Sequence, residues 1–225
     1  MSDRMVRIVQ ILSDSFFPLL EAGIKFTVPL TILSFIIGVA IAFTVAIVRV
    51  LEIKPFEGIA RLYVWIVRGT PLLVQLFIIF YGLPSIGVTL DALVSAVIGF
   101  SLSVGAYSSE IIRAAILSVP KGQWEAARAL GMSKAQTLKH VVLPQAIKVA
   151  IPPLSNSFIS LVKDTSLAAA ITVSEMFQVA QQITARTYEP LWLYTEAAAI
   201  YLVFCSGLTV LQSRLEERFG RHLAR

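Results

Sequence analysis

Long apolar runs follow one another along the chain and predict helices that cross a lipid bilayer. A helix that spans the hydrocarbon core needs about 20 mostly apolar residues. Five segments of the sequence satisfy this requirement: about 18–48, 56–82, 90–117, 145–162 and 191–211. The pattern therefore predicts an all-α integral membrane protein with about five transmembrane helices.

Prolines make the fourth of these segments the least regular. It follows Pro144 and contains Pro152 and Pro153. Each proline removes a backbone donor, so we expect a kinked helix or a delayed start. The apolar stretch 167–173 is too short to cross a bilayer and is expected to be re-entrant or interfacial.

The composition excludes most soluble proteins. Hydrophobic residues make up 56% of the chain and charged residues 15%, and the mean hydropathy is +0.78. A soluble domain averages about 45–50% apolar and about 25% charged residues. The net charge of +5 is scattered between apolar runs, so no nucleic-acid partner is expected. A single cysteine, Cys205, allows no internal disulfide.

Lysine and arginine positions predict the orientation. Five spans place the two termini on opposite sides of the membrane, and cytoplasmic loops carry an excess of basic residues. If the C-terminus is cytoplasmic, more than twice as many basic residues lie inside as outside. The inner group then includes the last four: Arg214, Arg218, Arg221 and Arg225. We therefore expect the N-terminus outside and the C-terminus in the cytoplasm.

The longest inner connection, at about 118–144, is expected to contain two short helices. Residues 123–130 are rich in good helix formers, and Gly131 suits the left-handed residue that ends a helix. Ser133 and Gln136 have the spacing of a capping box that opens a second helix. The sequence therefore predicts a helical hairpin on the cytoplasmic surface.

Three apolar residues of this hairpin are predicted to share one face. Trp124, Ala127 and Leu130 are each three residues apart, which places them on one side of a helix. Such a face is suitable for docking on another protein. The alternative is a surface helix that lies on the lipid headgroups.

The same residues resemble a known family motif. Glu125, Ala126 and Ala127 are followed after three residues by Gly131 and after nine more by 141–144 (VVLP). This pattern resembles the EAA loop of ABC importer permeases, with valine where the family usually has isoleucine. The resemblance implies that this loop is the coupling helix, which docks in a cleft of the ATP-hydrolysing subunit. Glu125, Ala126, Ala127 and Gly131 are then coupling residues.

Further segments narrow the resemblance. Residues 68–75 (RGTPLLVQ) and 121–127 (KGQWEAA) look like the polar amino acid permeases. Residues 152–168 (PPLSNSFISLVKDTSLA) and 180–187 (AQQITART) are similar to the permease subunit of bacterial L-cystine importers.

The resemblance implies a fold, a function and a set of partners. The fold is that of a type I ABC importer permease (MetI-like), a single transmembrane domain over 1–225. The function is membrane transport of polar amino acids, L-cystine most closely, by ATP-driven alternating access in a bacterial inner membrane. The implied partners are two ATP-binding cassette subunits, a second permease copy in a homodimer, and an extracytoplasmic solute-binding protein.

ATP binding is not expected in this chain. The sequence contains no Gly-x-x-x-x-Gly-Lys-Ser/Thr phosphate loop, so ATP and its magnesium are expected on the partner ATPase. The sequence also has no zinc-ligand spacing and no nucleophile elbow. We therefore expect no catalytic, cofactor-binding or metal-binding residues.

Two opposite charges are predicted inside the membrane. Arg68 lies 11 residues after Glu57 in the second span, and Glu110 lies 11 residues before Lys121 at the end of the third. Both are then about 16 Å deep. We expect them to face each other or one polar cavity, because intramembrane charges avoid lipid. The alternative is a purely structural ion pair.

A helix break next to Arg68 adds to this signal. Glycine and proline in the run Gly69-Thr70-Pro71 weaken a helix, and a broken helix at membrane depth can supply substrate contacts. Arg68 and nearby N–H groups are candidates for binding a substrate carboxylate. Glu110 or Asp164 is the candidate for the ammonium group.

Other polar residues are candidates for the transport pathway. Lys163 and Asp164 are expected near the outer end of the fourth span, where they could gate the path or contact the binding protein; the alternative is an interfacial pair. Gln75 and Tyr107 are further candidates, each as easily explained by packing. The remaining candidates are Thr70, at the helix break, and Asn156 and Ser160, which place hydrogen-bonding groups along the fourth span.

Two other functions fit parts of the sequence. A proton-coupled secondary transporter could use Glu110 or Asp164 as its proton site, but it would leave the structured loop at 118–144 unexplained. A membrane scaffold without transport would not need Arg68 and Glu110 within its spans.

Overall fold

The computed structural model describes residues 3–220, with side chains described as far as Arg214. Within this range the chain is helical and contains no strand. The predicted basic side chains Arg218, Arg221 and Arg225 lie outside the described side chains. The α-helices are α1 (Asp3–Ala22), α2 (Val28–Val50), α3 (Phe56–Gly69), α4 (Leu72–Phe77), α5 (Ala92–Leu117), α6 (Lys121–Ala129), α7 (Lys134–Thr137), α8 (Leu143–Asp164), α9 (Met176–Thr187) and α10 (Pro190–Gly220).

Shorter turns connect several of these helices. Single π-helical turns occupy Gly23–Thr27, Ile78–Gly82 and Leu138–Val142, and 3₁₀ turns occupy Leu83–Ile86 and Thr165–Ile171. The first π turn joins α1 and α2 without a break, so the first predicted span is one continuous helix, Asp3–Val50. It begins earlier than predicted, because α1 buries the stripe Ile8, Ser15 and Leu19 and packs against α9.

Three described helices are long and apolar enough to cross a membrane: Asp3–Val50, Ala92–Leu117 and Pro190–Arg214. Phe56–Gly69 and Leu72–Ile86 form a bent pair that would make a fourth. The predicted fourth span, 145–162, is helical within α8, but α8 is not among the helices that pass this test.

The prolines of α8 neither delay its start nor end it. Pro144 is the second residue of α8 and follows the π turn Leu138–Val142, which continues into α8 without a gap. Pro152 and Pro153 lie inside the helix, and the Ser157 hydroxyl donates to the Pro153 carbonyl at 3.0 Å. The Ser157 side chain thus bonds to a backbone carbonyl at the point where the two prolines lack N–H donors.

The chain divides into two compact units, each built from several chain segments. The first unit contains Met1–Ser34, Leu73–Phe100 and Ile159–Val210, and the second contains Phe35–Leu72, Ser101–Phe158 and Leu211–Arg225. The core of the first unit includes buried residues of α1, α9 and α10: Leu19, Met176, Ala180, Ala197 and Ile200.

The core of the second unit is an alanine-rich cluster. It takes residues from α2, α5, the π turn before α8, and α8 itself, and Trp124 of α6 packs against it. Small side chains let helix backbones approach closely, so the cluster joins these helices tightly. Its buried members are Ala42, Ala46, Ile112, Ala115, Ile116, Val119, Leu138, Val142, Ala146 and Ala150.

Glycines mark the closest helix contacts in the second unit. A Cβ atom added to Gly38 of α2 would lie 2.6 Å from Cβ and Cγ1 of Val104 on α5. One added to Gly105 would lie 2.6 Å from the Tyr63 hydroxyl. That hydroxyl donates to the Leu102 carbonyl at 2.6 Å. These two positions therefore have no room for a larger side chain.

Replacing Gly38 with alanine is expected to destabilise the protein. Overpacking typically costs about 1–3 kcal/mol, so the unfolding temperature in detergent should fall. Gly58→Ala is the control, because a Cβ there meets nothing within 4 Å and alanine favours helix. Size-exclusion chromatography after heating measures both variants. Equal stability of the two would contradict the packing at Gly38.

Candidate coupling loop and pathway residues

The predicted helical hairpin is present in the second unit. α6 ends at Ala129, and Gly131 has φ of +80°, in the left-handed region. Gln136 donates its backbone N–H to Ser133 Oγ at 3.3 Å, and Ser133 donates its own N–H to Gln136 Oε1 at 2.8 Å. The structure thus confirms the two helices, the glycine turn and the capping box.

The three residues predicted to share one apolar face of this hairpin do not lie in the same environment. Trp124 packs against the alanine-rich cluster and Ala127 is buried, whereas Leu130 is 83% exposed. Leu130 follows the last residue of α6, where the chain already turns, so helical spacing no longer applies. Trp124 and Ala127 therefore fix α6 to its own chain. The exposed side of the hairpin carries Glu125, Ala126 and Leu130.

A second contact that the sequence did not predict ties α6 to α8. Gln145 donates its side-chain amide to the Val141 carbonyl at 2.8 Å and to the Gln123 side-chain oxygen at 3.3 Å. No sequence rule pairs two glutamines that are 22 residues apart.

The prediction that Arg68 and Glu110 face each other is wrong. Glu110 instead accepts hydrogen bonds from Arg49 of α2 and from Arg113, whose Nη2 lies 3.0 Å from Glu110 Oε2. The depth of Glu110 was measured from Lys121, but α5 ends at Leu117. Glu110 is therefore only about 10 Å from the helix end and lies beside the last turn of α2.

Arg68 has an aromatic neighbour on α5 instead. Its guanidinium carbon is 5.3 Å from the ring centroid of Tyr107, a cation–π distance. Both side chains are exposed within the chain. The guanidinium is therefore held by a ring face that leaves its N–H groups available to a ligand.

The helix break after Arg68 is confirmed. α3 ends at Gly69 and α4 begins at Leu72. Thr70 is extended, with φ −122° and ψ 146°, as expected for a residue before proline. Its hydroxyl donates back to the Ile66 carbonyl at 2.9 Å.

The remaining candidates fall in both units. In the second unit, Asn156 accepts a hydrogen bond from the Gln212 amide at 3.0 Å. In the first unit, Gln75 is half-buried, and Ser160, Lys163 and Asp164 are exposed along the end of α8.

Lys163 lines a cavity within the first unit. The cavity has a volume of about 490 Å³, which is in the usual range for small-molecule sites. Three of its lining residues are aromatic. The lining residues are Lys163, Ser166, Phe177, Tyr194, Ala197, Ala198, Tyr201, Leu202 and Cys205.

A buried carboxylate in the first unit was not predicted. Glu175 caps α9 and is fully buried. It accepts hydrogen bonds from the Tyr201 hydroxyl at 2.6 Å and from the Gln178 N–H at 2.7 Å. Burial raises the pKa of this carboxyl, although these donors oppose the shift. Its position before a helix was the only sequence signal.

The raised pKa of Glu175 predicts a pH-dependent stability. Because the folded state holds the proton more tightly than the unfolded state, this contribution to stability is lost as pH rises above the ordinary glutamate pKa of 4.5. The unfolding temperature should therefore fall more steeply from pH 5 to 8 for the wild type than for Glu175→Gln. Tyr201→Phe, which removes a donor to the carboxylate, should steepen the decline. Parallel curves for all three proteins would contradict this reading.

The sequence of this chain is similar to known transport proteins. Residues 36–221 match the family described as "Binding-protein-dependent transport system inner membrane component". The L-cystine transport system permease protein TcyB of Bacillus subtilis (strain 168) is 55% identical over 216 residues, which cover 96% of this chain and 92% of that protein. The probable amino-acid ABC transporter permease protein YckA of the same organism is 41% identical over 207 residues, 92% of each.

A solved structure gives the same result. The crystal structure of an amino acid ABC transporter with histidines has a chain 35% identical to this one, with a TM-score of 0.82. The match covers 96% of this chain and 97% of that chain.

These similarities decide between the functions that the sequence left open. They confirm the permease resemblance and the type I importer fold, and they support ATP-driven transport instead of a proton-coupled transporter. The ATPase of such systems is a separate subunit, and the apolar helices fit a multi-pass inner membrane protein. The chain belongs to the family of inner membrane components of binding-protein-dependent transport systems, and it is the permease subunit of an ABC importer.

Proposed function

We propose that this permease imports L-cystine. The observation that carries the proposal is its 55% identity to an L-cystine permease over 96% of the chain. A relative with 41% identity is described only as an amino-acid permease, so the substrate class has broader support than cystine itself.

The chemistry of the candidate residues fits a dipolar substrate. An amino acid needs a cationic or donor-rich partner for its carboxylate and an anionic partner for its ammonium group. Arg68, held against Tyr107, supplies a guanidinium with free donors. Lys163 supplies a second cation at the cavity of the first unit.

In the first unit, Asp164 is the candidate partner for an ammonium group, and Glu110 of the second unit is not. Glu110 is already bonded to Arg49 and Arg113, so it is not available for an ammonium group. Asp164 is exposed at the end of α8 and has one charged neighbour in sequence, Lys163. Thr70, Gln75, Asn156 and Ser160 are assigned supporting polar contacts along the pathway.

The α6–α7 hairpin is the proposed coupling element. Glu125, Ala126 and Leu130 present exposed side chains for an ATPase subunit, and Gly131 sets the turn. Ala127 contributes through packing, because its small buried side chain lets α6 lie close to the rest of the second unit. ATP and magnesium are bound by the ATPase, whose closure would move α6 and reorient the spans.

The proposed assembly contains two copies of this permease, two ATPase subunits and one extracytoplasmic binding protein. In this arrangement the C-terminus and the hairpin are cytoplasmic, and the N-terminus is outside. The excess of basic residues on the hairpin side of the spans supports this orientation.

Uptake by the complete complex in proteoliposomes tests the proposal. With the loaded binding protein outside and ATP inside, we expect radiolabelled L-cystine to accumulate, and excess unlabelled cystine to block it more strongly than arginine or glutamine. If another amino acid blocks uptake more strongly than cystine, that amino acid and not cystine is the preferred substrate. Uptake by the permease alone, driven by a proton gradient, would contradict the ATP-driven mechanism.

A further inference from the structure

A carboxylate with two arginine partners lies within the second unit. Glu110 accepts from Arg49, from Arg113 Nε at 3.1 Å and from Arg113 Nη2 at 3.0 Å. The side chains of Arg49, Glu110 and Arg113 are 16%, 21% and 34% exposed. Water and salt screen them less than the exposed pair Glu21–Lys25, so their charge-assisted bonds are stronger.

The two arginines differ in what they connect. Arg113 is on α5, three residues from Glu110, so its bond stays within one helix. Arg49 is on α2, next to the final residue Val50. Only the bond from Arg49 joins two helices, and it fixes the end of α2 to α5.

The alanine-rich cluster occupies the same turns. Ala46 lies one turn before Arg49, and Ile112 is adjacent to Arg113. Trp124 of α6 packs on this cluster, and α5 leads into α6 within four residues. The hairpin is therefore connected through one packed group to the ends of α2 and α5.

Apolar packing holds α2 and α5 close together, but it does not give their contact a defined direction. Hydrophobic contacts are non-directional, whereas a guanidinium–carboxylate bond has a defined geometry. An α6 that moves would pull α5 directly through the chain. The bond between Arg49 and Glu110 adds a directional link that makes the end of α2 follow α5.

We propose that Arg49, through Glu110, is a positioning residue for coupling: it makes α2 move with α5 when the α6–α7 hairpin is displaced. This inference rests on the proposed function. Without the bond, the hairpin would still respond to the ATPase, but part of its motion would not reach α2. ATP would then be hydrolysed with less transport.

The test compares Arg49→Ala with Arg113→Ala in the complete complex. Both variants remove one arginine from Glu110, but only Arg49→Ala removes the bond between helices. The quantity measured is the number of amino acid molecules taken up per ATP hydrolysed, with loaded binding protein in excess. We expect this ratio to fall about tenfold for Arg49→Ala and less than about twofold for Arg113→Ala.

Two further variants keep the test decisive. Arg49→Lys retains the positive charge and a hydrogen-bonding ammonium group, so it should restore at least part of the ratio. Arg49→Gln, which is closer to arginine in shape, replaces the alanine variant if that complex does not assemble. A purely structural role would lower the amount of complex without changing the ratio.

Two results would overturn the inference: a ratio in Arg49→Ala that is unchanged, even if uptake and ATP hydrolysis fall together, or an equal loss of the ratio in Arg113→Ala. The wild-type complex is measured first, with the amino acid that it takes up best. If it shows no ATP-dependent uptake, the proposed function fails, and that outcome is separate from any effect of Arg49.

Discussion

Replacing Gly131 with valine is expected to abolish most ATP-driven uptake while leaving the permease in the membrane. Gly131 has φ of +80°, which a β-branched residue adopts only with strain. The left-handed conformation costs an L-residue about 1–2 kcal/mol. A cost of that size changes a two-state population by a factor of about 5–30, so we expect uptake to fall about tenfold.

The strain at Gly131 is in the backbone and not in the packing. A Cβ added there meets nothing within 4 Å. Gly131→Asn should therefore retain much of the uptake, because asparagine tolerates the left-handed region. Gly122→Ala, in α6 with no Cβ neighbour, should be near wild type. Equal uptake by the valine and asparagine variants would show that the turn does not depend on this conformation.

Replacing Arg68 with glutamine is the second change with a large expected effect. The variant loses the guanidinium that is assigned to the substrate carboxylate, and hydrogen bonds to charged groups contribute about 1.5–3 kcal/mol. The KM for uptake should therefore rise by about tenfold or more. Initial rates over a range of substrate concentrations, normalised to permease abundance, measure this effect.

Arg61→Gln is the matched control for Arg68. Arg61 is also on α3 and exposed, but its partner is Glu57, one turn away on the same helix. We expect its KM to stay near the wild-type value. Tyr107→Phe should also be mild, because it keeps the ring face next to Arg68. If uptake by Arg68→Gln falls only as much as its abundance, Arg68 has a structural role.

Local rules predicted the hairpin well. Gly131 and the pair Ser133–Gln136 act within a few residues of chain, and the structure has the left-handed turn and the capping box at those positions. The break at Thr70 was predicted for the same reason, since proline restricts its immediate neighbour. Signals of this kind do not depend on how distant helices pack.

Contacts between distant residues were the main source of error. Sequence spacing gave approximate depths for Arg68 and Glu110, but the partner of Glu110 depends on where α2 ends beside α5. Leu130 was placed on the wrong face because one residue beyond Ala129 the helix has ended. The bond between Glu175 and Tyr201 joins the N-cap residue of α9 to a residue of α10, and no local pattern pairs them.

Thiol labelling of the hairpin tests the central claim that the hairpin docks on a cytoplasmic ATPase and couples ATP hydrolysis to transport. Cys205 is the single cysteine, so Cys205→Ala provides a background into which Leu130→Cys is introduced at an 83% exposed position. A membrane-impermeant maleimide should label this cysteine in inverted membrane vesicles and not in intact cells, and bound ATPase subunits should protect it. Labelling in intact cells would place the hairpin outside, where no ATPase could reach it, and would contradict the account.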